Sequence, residues 1–171
     1  MKVSYGERCK ALDIYDKKIL ENLQEDGGMT NLELSKRIGL APSSCLLRTK
    51  ALKDAGVIAK TSILVDEKKL GFNIVAFARI EIAKLTREIS DNFVQTIREI
   101  PQVVECYTIT GDGSFLLKIV AKTLEEYRNF VVDRIMSIEN VTNVVSSLVA
   151  CQDKTTTVLP LTEEEPVEEE M

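Results

Sequence analysis

Small polar and basic side chains follow Pro42 at spacings that would place them on one face of a helix. Unrolled at about 100° per residue, the segment puts Cys45, Thr49 and Leu52 on the opposite face, which we expect to be buried. Lysine and arginine bind phosphates or guanine, serine binds a phosphate or a base edge, and leucine contacts a thymine methyl group. The pattern indicates a DNA contact surface made of Ser43, Ser44, Leu47, Lys50 and, at its boundary, Arg48. The alternative is a solvated helix face with one stray exposed leucine.

Two short helices joined by a tight turn are expected to position this surface. Thr30 and Glu33 have the spacing of a capping box, and Gly39 suits the left-handed position just after the first helix. Pro42 suits the first position of the second helix. Together they predict a helix-turn-helix unit, whose second helix lies in the major groove. The first helix ends with two basic side chains that either contact the DNA backbone or are simply solvated, Lys36 and Arg37.

An earlier helix is expected to complete a three-helix core. Asp13 can cap it, a turn at residues 26–28 ends it, and its apolar positions are Leu12, Ile19, Leu20 and Leu23. After the helix-turn-helix unit, residues 57–65 are rich in β-branched side chains, which favours an extended segment. We therefore predict a DNA-binding domain over residues 1–60 and a linker strand and hinge over residues 61–73.

From residue 74 onward, strand and helix patterns alternate in the order βαββαβ. The strands are predicted over residues 74–82, 103–110, 115–121 and 141–151. One helix is predicted over residues 90–100, and a second begins at Thr123, with one apolar face made of Leu124, Tyr127, Val131, Ile135 and Ile138. This order predicts a ferredoxin-like α+β sandwich, with both helices on one side of an antiparallel sheet.

The other face of that sheet would be left bare in a single chain. An exposed apolar patch of this kind usually marks an interface, and two-fold self-association is the commonest way to cover one. We expect a homodimer for this reason. The domain is predicted over residues 74–161, where residues 154–161 add an edge strand, and residues 162–171 form an acidic disordered tail.

The turn between the second and third strands is the other candidate binding site. Its Asp-Gly pair favours a hairpin turn, and because a strand follows, it is not a nucleotide-binding loop. Backbone N–H groups in such a turn can hold a small carboxylate, while Asp112 or Ser114 would meet an ammonium group. The predicted effector-binding residues are Gly111, Asp112, Gly113 and Ser114.

Composition excludes several classes of protein. The 171 residues include no histidine, and the four cysteines form no CxxC pair. We therefore expect no metal site, no cofactor and no catalytic residue, and we expect Cys45 to be a core side chain, with a redox switch as the alternative. The net charge of −5 is unevenly divided, because residues 1–60 hold 11 basic and 8 acidic residues. Without a signal peptide or a membrane-spanning run, a cytoplasmic protein is expected.

Three stretches resemble the Lrp/AsnC (leucine-responsive, feast/famine) family of transcription regulators. The family's opening helix resembles LDIYDKKILENLQEDG, its DNA-reading unit resembles NLELSKRIGLAPSSCLLRTKALKDAGVI, and its effector-domain hairpin resembles CYTITGDGSFLLKIV. The resemblance implies a winged helix-turn-helix and a C-terminal effector domain that dimerises. It also implies assembly of dimers into tetramers or octamers, with amino acids bound between effector domains. The family's hairpin commonly reads Gly-Asp-x-Asp, where this chain has Ser114.

The expected function is a sequence-specific regulator that binds double-stranded DNA and responds to a small, amino-acid-like effector. One alternative is an effector-binding or protein-interaction module of the same fold that has lost strong DNA binding. Gly28, Ala51 and the small basic excess of residues 1–60 favour that alternative. An enzyme is the other alternative, since some proteins similar to this family decarboxylate tetrapyrroles. That chemistry depends on histidines, which this chain lacks.

Overall fold

The computed structural model describes residues 12–84, 86–111 and 114–161, which divide into two units. The first unit contains the described residues up to Leu64 together with residues 155–161, and the second contains Val65–Lys154. The division between Leu64 and Val65 falls inside the linker predicted over residues 61–73. The acidic tail predicted over residues 162–171 lies outside the described residues.

Three helices form the first unit: α1 (Ile14–Glu25), α2 (Asn31–Ile38) and α3 (Pro42–Asp54). Asp13 caps α1 by accepting the backbone N–H groups of Tyr15 and Asp16, each at 2.9 Å. The helices enclose one apolar core, whose buried members are Ile19, Leu20, Leu34, Ile38, Cys45 and Leu52. The predicted three-helix core is therefore confirmed.

The capping box at the start of α2 is present as predicted. The Thr30 hydroxyl accepts the Glu33 backbone N–H, and the Glu33 carboxylate accepts the Thr30 backbone N–H at 3.0 Å. The helix then ends at Gly39, whose φ of 72° is left-handed. Because α2 has only 8 residues, its end contacts are a large share of its hydrogen bonds.

Substitution of Thr30 by alanine is expected to destabilise the first unit by about 1 kcal/mol, because one first-turn N–H group loses its acceptor. Urea unfolding followed by circular dichroism measures the change. Thr155→Ala is the control, since Thr155 is exposed and lies outside any helix, and its effect should stay within about 0.5 kcal/mol. Equal losses for the two variants would contradict the capping role.

The linker strand predicted over residues 61–73 and the edge strand predicted over residues 154–161 are not present. Neither segment pairs with the backbone of a neighbouring strand. Instead, the Leu159 backbone exchanges two hydrogen bonds with the Gln24 side chain of α1, at 2.6 and 3.2 Å. Leu161 packs against the core of the first unit. These contacts explain why residues 155–161 group with the first unit and not with the sheet.

The second unit is a four-stranded antiparallel sheet with two helices, as predicted. Its elements in chain order are β1 (Ile74–Ile82), α4 (Arg87–Arg98), β2 (Val103–Thr108), β3 (Phe115–Ala121), α5 (Leu124–Phe130) and β4 (Val141–Leu148). The spatial order of the strands is β2-β3-β1-β4, which is the ferredoxin-like arrangement. The α4 helix begins three residues earlier than predicted, because the Thr86 hydroxyl caps it through the Ile89 N–H. Strands β2 and β4 end two and three residues early, at Thr108 and Leu148.

The core of the second unit lies between the sheet and the helices. Phe93 of α4 stacks on Phe115 of β3 with ring centroids 4.4 Å apart, and both side chains are buried. The α5 helix continues into a π-helical turn, Val131–Ile135. Leu124, predicted to be buried, is 55% exposed, while Phe130 is buried. The prediction for Leu124 was therefore wrong.

The sheet face turned away from the helices mixes apolar and charged side chains. Phe77 of β1 lies opposite Lys118 of β3 and Ser147 of β4, and Arg79 is the next outward-facing residue of β1. Phe77 is 37% exposed and Tyr107 of β2 is 50% exposed. Apolar side chains are thus uncovered on this face, as expected from the fold, while self-association through it stays a prediction.

Candidate DNA-binding surface and effector turn

The α3 helix divides into a buried and an exposed face as the sequence predicts, although Thr49, expected on the buried face, is only half-buried. Cys45 is fully buried and Leu52 nearly so, while Leu47 is 69% exposed. The other exposed members of the predicted DNA-binding set on this helix are Ser43, Ser44 and Lys50. Leu46 of the same helix is also exposed. With small side chains at its start, the face that carries Ser43, Ser44, Leu47 and Lys50 can approach a groove closely.

The start of α3 has no side-chain cap among the residues that the structure describes. Ala41 is the N-cap and has no side-chain acceptor for the N–H groups of the first turn, which include those of Ser43 and Ser44. Helix N-termini of this kind attract phosphate oxygens, because several N–H groups point along the axis together with the positive end of the helix dipole. The turn itself is held by the Asn31 side chain, which donates to the Pro42 carbonyl at 2.9 Å. The sequence prediction did not include Asn31.

Lys36 and Arg37 both lie exposed in the last turn of α2. Cations at this end of a helix interact favourably with the helix dipole, whether or not they contact DNA. Both also lie near the Glu33 carboxylate and contribute to lowering its pKa, after the larger contribution of its hydrogen bonds with Thr30. Their positions are compatible with either role that the sequence allows.

Arg48 pairs with two carboxylates of α1, a contact that the sequence did not predict. Its Nη1 contacts Oδ2 of Asp13 and lies 2.9 Å from Oδ1 of Asp16. Its guanidinium carbon also lies 5.5 Å from the centre of the Tyr15 ring. Arg48 is separated from Asp16 by 32 positions and from Asp13 by 35 positions in the chain. No local sequence pattern could therefore have predicted these contacts. Of the predicted DNA-binding residues, Arg48 is the one whose charge the fold itself neutralises.

Acid is expected to weaken this ion-pair cluster. The Asp13 pKa is lowered from 3.8, first by the Asp16 backbone N–H and then by Arg48. A carboxyl with a lowered folded-state pKa stabilises the fold fully above its unfolded-state pKa and loses this contribution as the pH falls through the folded-state value. The difference in melting temperature between wild type and Asp13→Asn should therefore be constant near neutral pH and shrink below about pH 4. A difference that persists unchanged in strong acid would contradict the role of the Asp13 charge.

The predicted effector turn is described at its two ends. Gly111 has a φ of 99°, a conformation that favours glycine. Ser114 is nearly buried, and its backbone N–H donates to the Ile80 carbonyl at 2.8 Å. The Ser114 N–H is therefore already occupied, which leaves the rest of the turn to supply the carboxylate contacts predicted for it. Asp112 and Gly113 lie outside the described residues.

A surface groove of about 1040 Å³ lies along α4, away from the effector turn. Its charged lining residues are Glu88, Glu99, Asp133, Glu139 and Arg134. Four carboxylates against one guanidinium would repel the carboxylate of an amino acid. Neither Gly111 nor Ser114 lines the groove, so it gives no support to the predicted effector site.

Among the described residues, no group of three or more potential ligand side chains could hold a metal ion. Cys45 is buried between the helices of the first unit, and burial raises the pKa of its thiol. A thiol with a raised pKa is a poor nucleophile, which fits the expected core role better than a redox switch. No described helix has the length and apolar character needed to cross a membrane.

Comparison with known proteins matches both units. A family model described as winged helix-turn-helix DNA-binding matches residues 12–59, and one described as the Lrp/AsnC ligand binding domain matches residues 75–159. The chain is 49% identical over 152 residues to the transcriptional regulator AzlB of Bacillus subtilis strain 168, covering 89% of this chain and 97% of the relative. It is 35% identical over 143 residues to the leucine-responsive regulatory protein of Rhizobium meliloti strain 1021, covering 84% and 92%.

A solved structure has the same architecture. A transcriptional regulator of Neisseria meningitidis, crystallised in complex with L-Met, matches with a TM-score of 0.84 and 37% identity, covering 88% of this chain and 97% of that one. These relatives are regulators, and the matched domains bind DNA and ligands instead of catalysing a reaction. The chain belongs to the Lrp/AsnC family and is a DNA-binding transcriptional regulator with a ligand-binding domain.

Proposed function

We propose that this regulator recognises a specific DNA sequence through α3, works as a dimer or a dimer-based tetramer or octamer in the cytoplasm, and responds to an amino-acid-like effector. The observation that carries the DNA-binding part is the division of α3 into two faces. Cys45 and Leu52 hold the helix against the core, while Ser43, Leu47 and Lys50 are exposed on its other side. Lys36 and Arg37 at the end of α2 are proposed to contact the DNA backbone.

Few groups on this face can form hydrogen bonds with bases. Leu47 is proposed to contact a thymine methyl group, and Ser43 and Ser44 to bind a phosphate or a base edge. With so few base contacts, much of the sequence preference is proposed to come from the shape and bending of the DNA. Single base changes in the centre of a site, which the protein does not contact, would then change the affinity, just as changes at contacted positions do.

The DNA-binding part is tested with duplexes that the wild-type protein selects from a random-sequence library. Lys50→Ala is expected to weaken binding to the selected duplex roughly tenfold in a mobility-shift titration, the size of one good contact. Lys18→Ala, which removes an exposed cation from α1, is the matched control and should change the affinity far less. Equal effects would contradict a specific role for α3.

A wild-type protein that selects no duplex would support the alternative function, an effector-binding or interaction module without strong DNA binding. The pairing of Arg48 with Asp13 and Asp16 favours this alternative to a limited degree, because it removes one cation from the α3 surface. Retained binding of amino acids by such a protein would complete that interpretation.

The effector is proposed to bind at the turn of residues 111–114, at an interface between copies of the second unit. The proposal is supported by the Lrp/AsnC ligand-binding domain match and by the related Neisseria regulator in complex with L-Met. Thermal unfolding in the presence of each of the twenty amino acids, L-Met included, tests it. A ligand present at 100 times its dissociation constant adds about 2.7 kcal/mol, which is a shift of several degrees.

Two variants locate the effector site once an amino acid shifts the melting temperature. Asp112→Asn is expected to remove the shift, because it takes away the charge proposed to meet the ammonium group. Glu139→Gln changes one carboxylate of the groove along α4 and is expected to leave the shift intact. The reverse result would move the effector site from the turn to the groove.

A further inference from the structure

The contacts of Arg48 connect the middle of α3 to the start of α1. Both ion pairs use one nitrogen, Nη1, which contacts Asp13 and lies 2.9 Å from Asp16. Asp13 serves both helices, because its other carboxylate oxygen accepts the N–H groups that cap α1. The Tyr15 ring lies beside the guanidinium. We define Asp13, Tyr15, Asp16 and Arg48 as the α1–α3 clamp.

The charge of the α1–α3 clamp does not favour phosphate. One guanidinium faces two carboxylates, so the cluster has a net charge of −1 when all three groups are ionised. A DNA phosphate that approached Arg48 would meet both carboxylates at nearly the same distance. Their repulsion of the phosphate would cancel or exceed its attraction to the guanidinium. Lys50, which is exposed on α3, forms no ion pair with the described residues within 4 Å.

The clamp lies where it can control the rotation of α3 about its axis. Cys45 and Leu52 are the two buried side chains of the helix, and Arg48 lies between them along the same side of the helix. At its first turn α3 is held by the Asn31 hydrogen bond to the Pro42 carbonyl. The Arg48 ion pairs add a directional contact at the middle of the helix, where they can fix its rotation.

The exposure of the clamp side chains indicates that the clamp contributes more to the position of α3 than to the stability of the fold. Side-chain exposure is 36% for Arg48, 48% for Asp13 and 16% for Asp16. Ion pairs this exposed contribute little to the stability of a fold. Loss of the clamp should therefore leave the first unit folded, while the exposed face of α3 is no longer held at one angle.

We propose that Asp13, Asp16 and Arg48 are positioning residues for DNA recognition: they hold α3 so that Ser43, Leu47 and Lys50 enter the groove together, and Arg48 acts through the helix without binding a phosphate. This inference rests on the proposed sequence-specific DNA binding. It assigns to Asp13 and Asp16 a part in recognition although both are anionic.

The test is a double-mutant cycle of Arg48→Gln, Asp16→Asn and the combined variant in the full chain. Affinities are measured for the duplex selected by the wild type and for poly(dI-dC), at several salt concentrations, and well below the melting temperature of each variant. Arg48→Gln is expected to lower the ratio of specific to non-specific affinity at least tenfold without changing the salt dependence. Asp16→Asn should lower the ratio as well, and the combined variant should lower it no further than Arg48→Gln.

Two further variants distinguish a positioning role of Arg48 from a phosphate contact. Arg48→Lys keeps one nitrogen able to reach the carboxylates and should restore part of the ratio, since both ion pairs use a single nitrogen of Arg48. Lys50→Ala is the positive control for a phosphate contact, and it should reduce the slope of log affinity against log salt by about one.

Three outcomes would overturn the inference. A salt slope reduced by about one in Arg48→Gln would make Arg48 a phosphate contact. A higher affinity ratio in Asp16→Asn would mean that the carboxylates withhold Arg48 from DNA. An unchanged ratio in every clamp variant would leave the clamp a purely structural contact. A wild type that selects no duplex would instead overturn the proposed function, and the inference with it.

Discussion

Phe115→Ala is expected to lower the free energy of unfolding of the second unit by about 3–5 kcal/mol. Phe115 begins β3, is fully buried and stacks on Phe93 of α4. Its removal would leave a cavity between the sheet and the helix and would also end the ring contact. Since domains are stable by only about 5–15 kcal/mol, the variant should be close to unfolding. Urea unfolding followed by circular dichroism measures the loss.

Leu124→Ala is the matched control for Phe115→Ala. Leu124 belongs to the same unit but is 55% exposed, so its truncation should cost no more than about 0.5 kcal/mol. Comparable losses at the two positions would mean that the core does not lie between the sheet and the helices.

Phe77→Lys is expected to weaken self-association by roughly hundredfold or more, corresponding to about 2.7 kcal/mol. Phe77 lies uncovered on the outer sheet face, directly opposite Lys118 and two residues from Arg79. A lysine there would replace an apolar contact by a third cation. Burying that cation in an interface between two copies would be costly, because its cross-strand neighbour Lys118 is also a cation and already pairs with the nearby carboxylates of Glu67 and Glu105. Sedimentation velocity over a range of protein concentrations measures the dissociation.

Val132→Lys is the control for Phe77→Lys. Val132 is 53% exposed, but it lies in the π-helical turn on the helical side of the second unit. The Val132→Lys variant should remain dimeric if the dimer forms through the outer sheet face. Dissociation by Val132→Lys and not by Phe77→Lys would place the interface on the helices instead.

Local patterns predicted much of this molecule. Strands β1 and β3 begin and end where the alternation of side chains predicts, because each lies inside the sheet and is paired along its whole length. The two faces of α3 follow from helical periodicity in the same way. The α4 helix begins three residues before the predicted start, because the Thr86 hydroxyl, whose residue type and spacing allow it to cap a helix, accepts the Ile89 N–H.

The features that the sequence did not predict depend on contacts between distant residues. The pairing of Arg48 with Asp13 and Asp16 joins side chains more than thirty positions apart. The exchange of hydrogen bonds between Gln24 and Leu159 spans 135 positions and draws the segment of residues 155–161 into the first unit. The hydrogen bond from the Ser114 N–H to the Ile80 carbonyl likewise depends on how β1 approaches the turn. None of these contacts has a local sequence pattern.

The central claim is that α3 enters the major groove with its exposed face. Dimethyl sulphate methylates N7 of guanine in the major groove and N3 of adenine in the minor groove, so a methylation-protection experiment on the duplex selected by the wild type tests the claim directly. The account predicts protection of guanine N7 in two half-sites about one helical turn apart, one for each α3 of a dimer. Protection confined to adenine N3, or no protection at saturating protein, would contradict it.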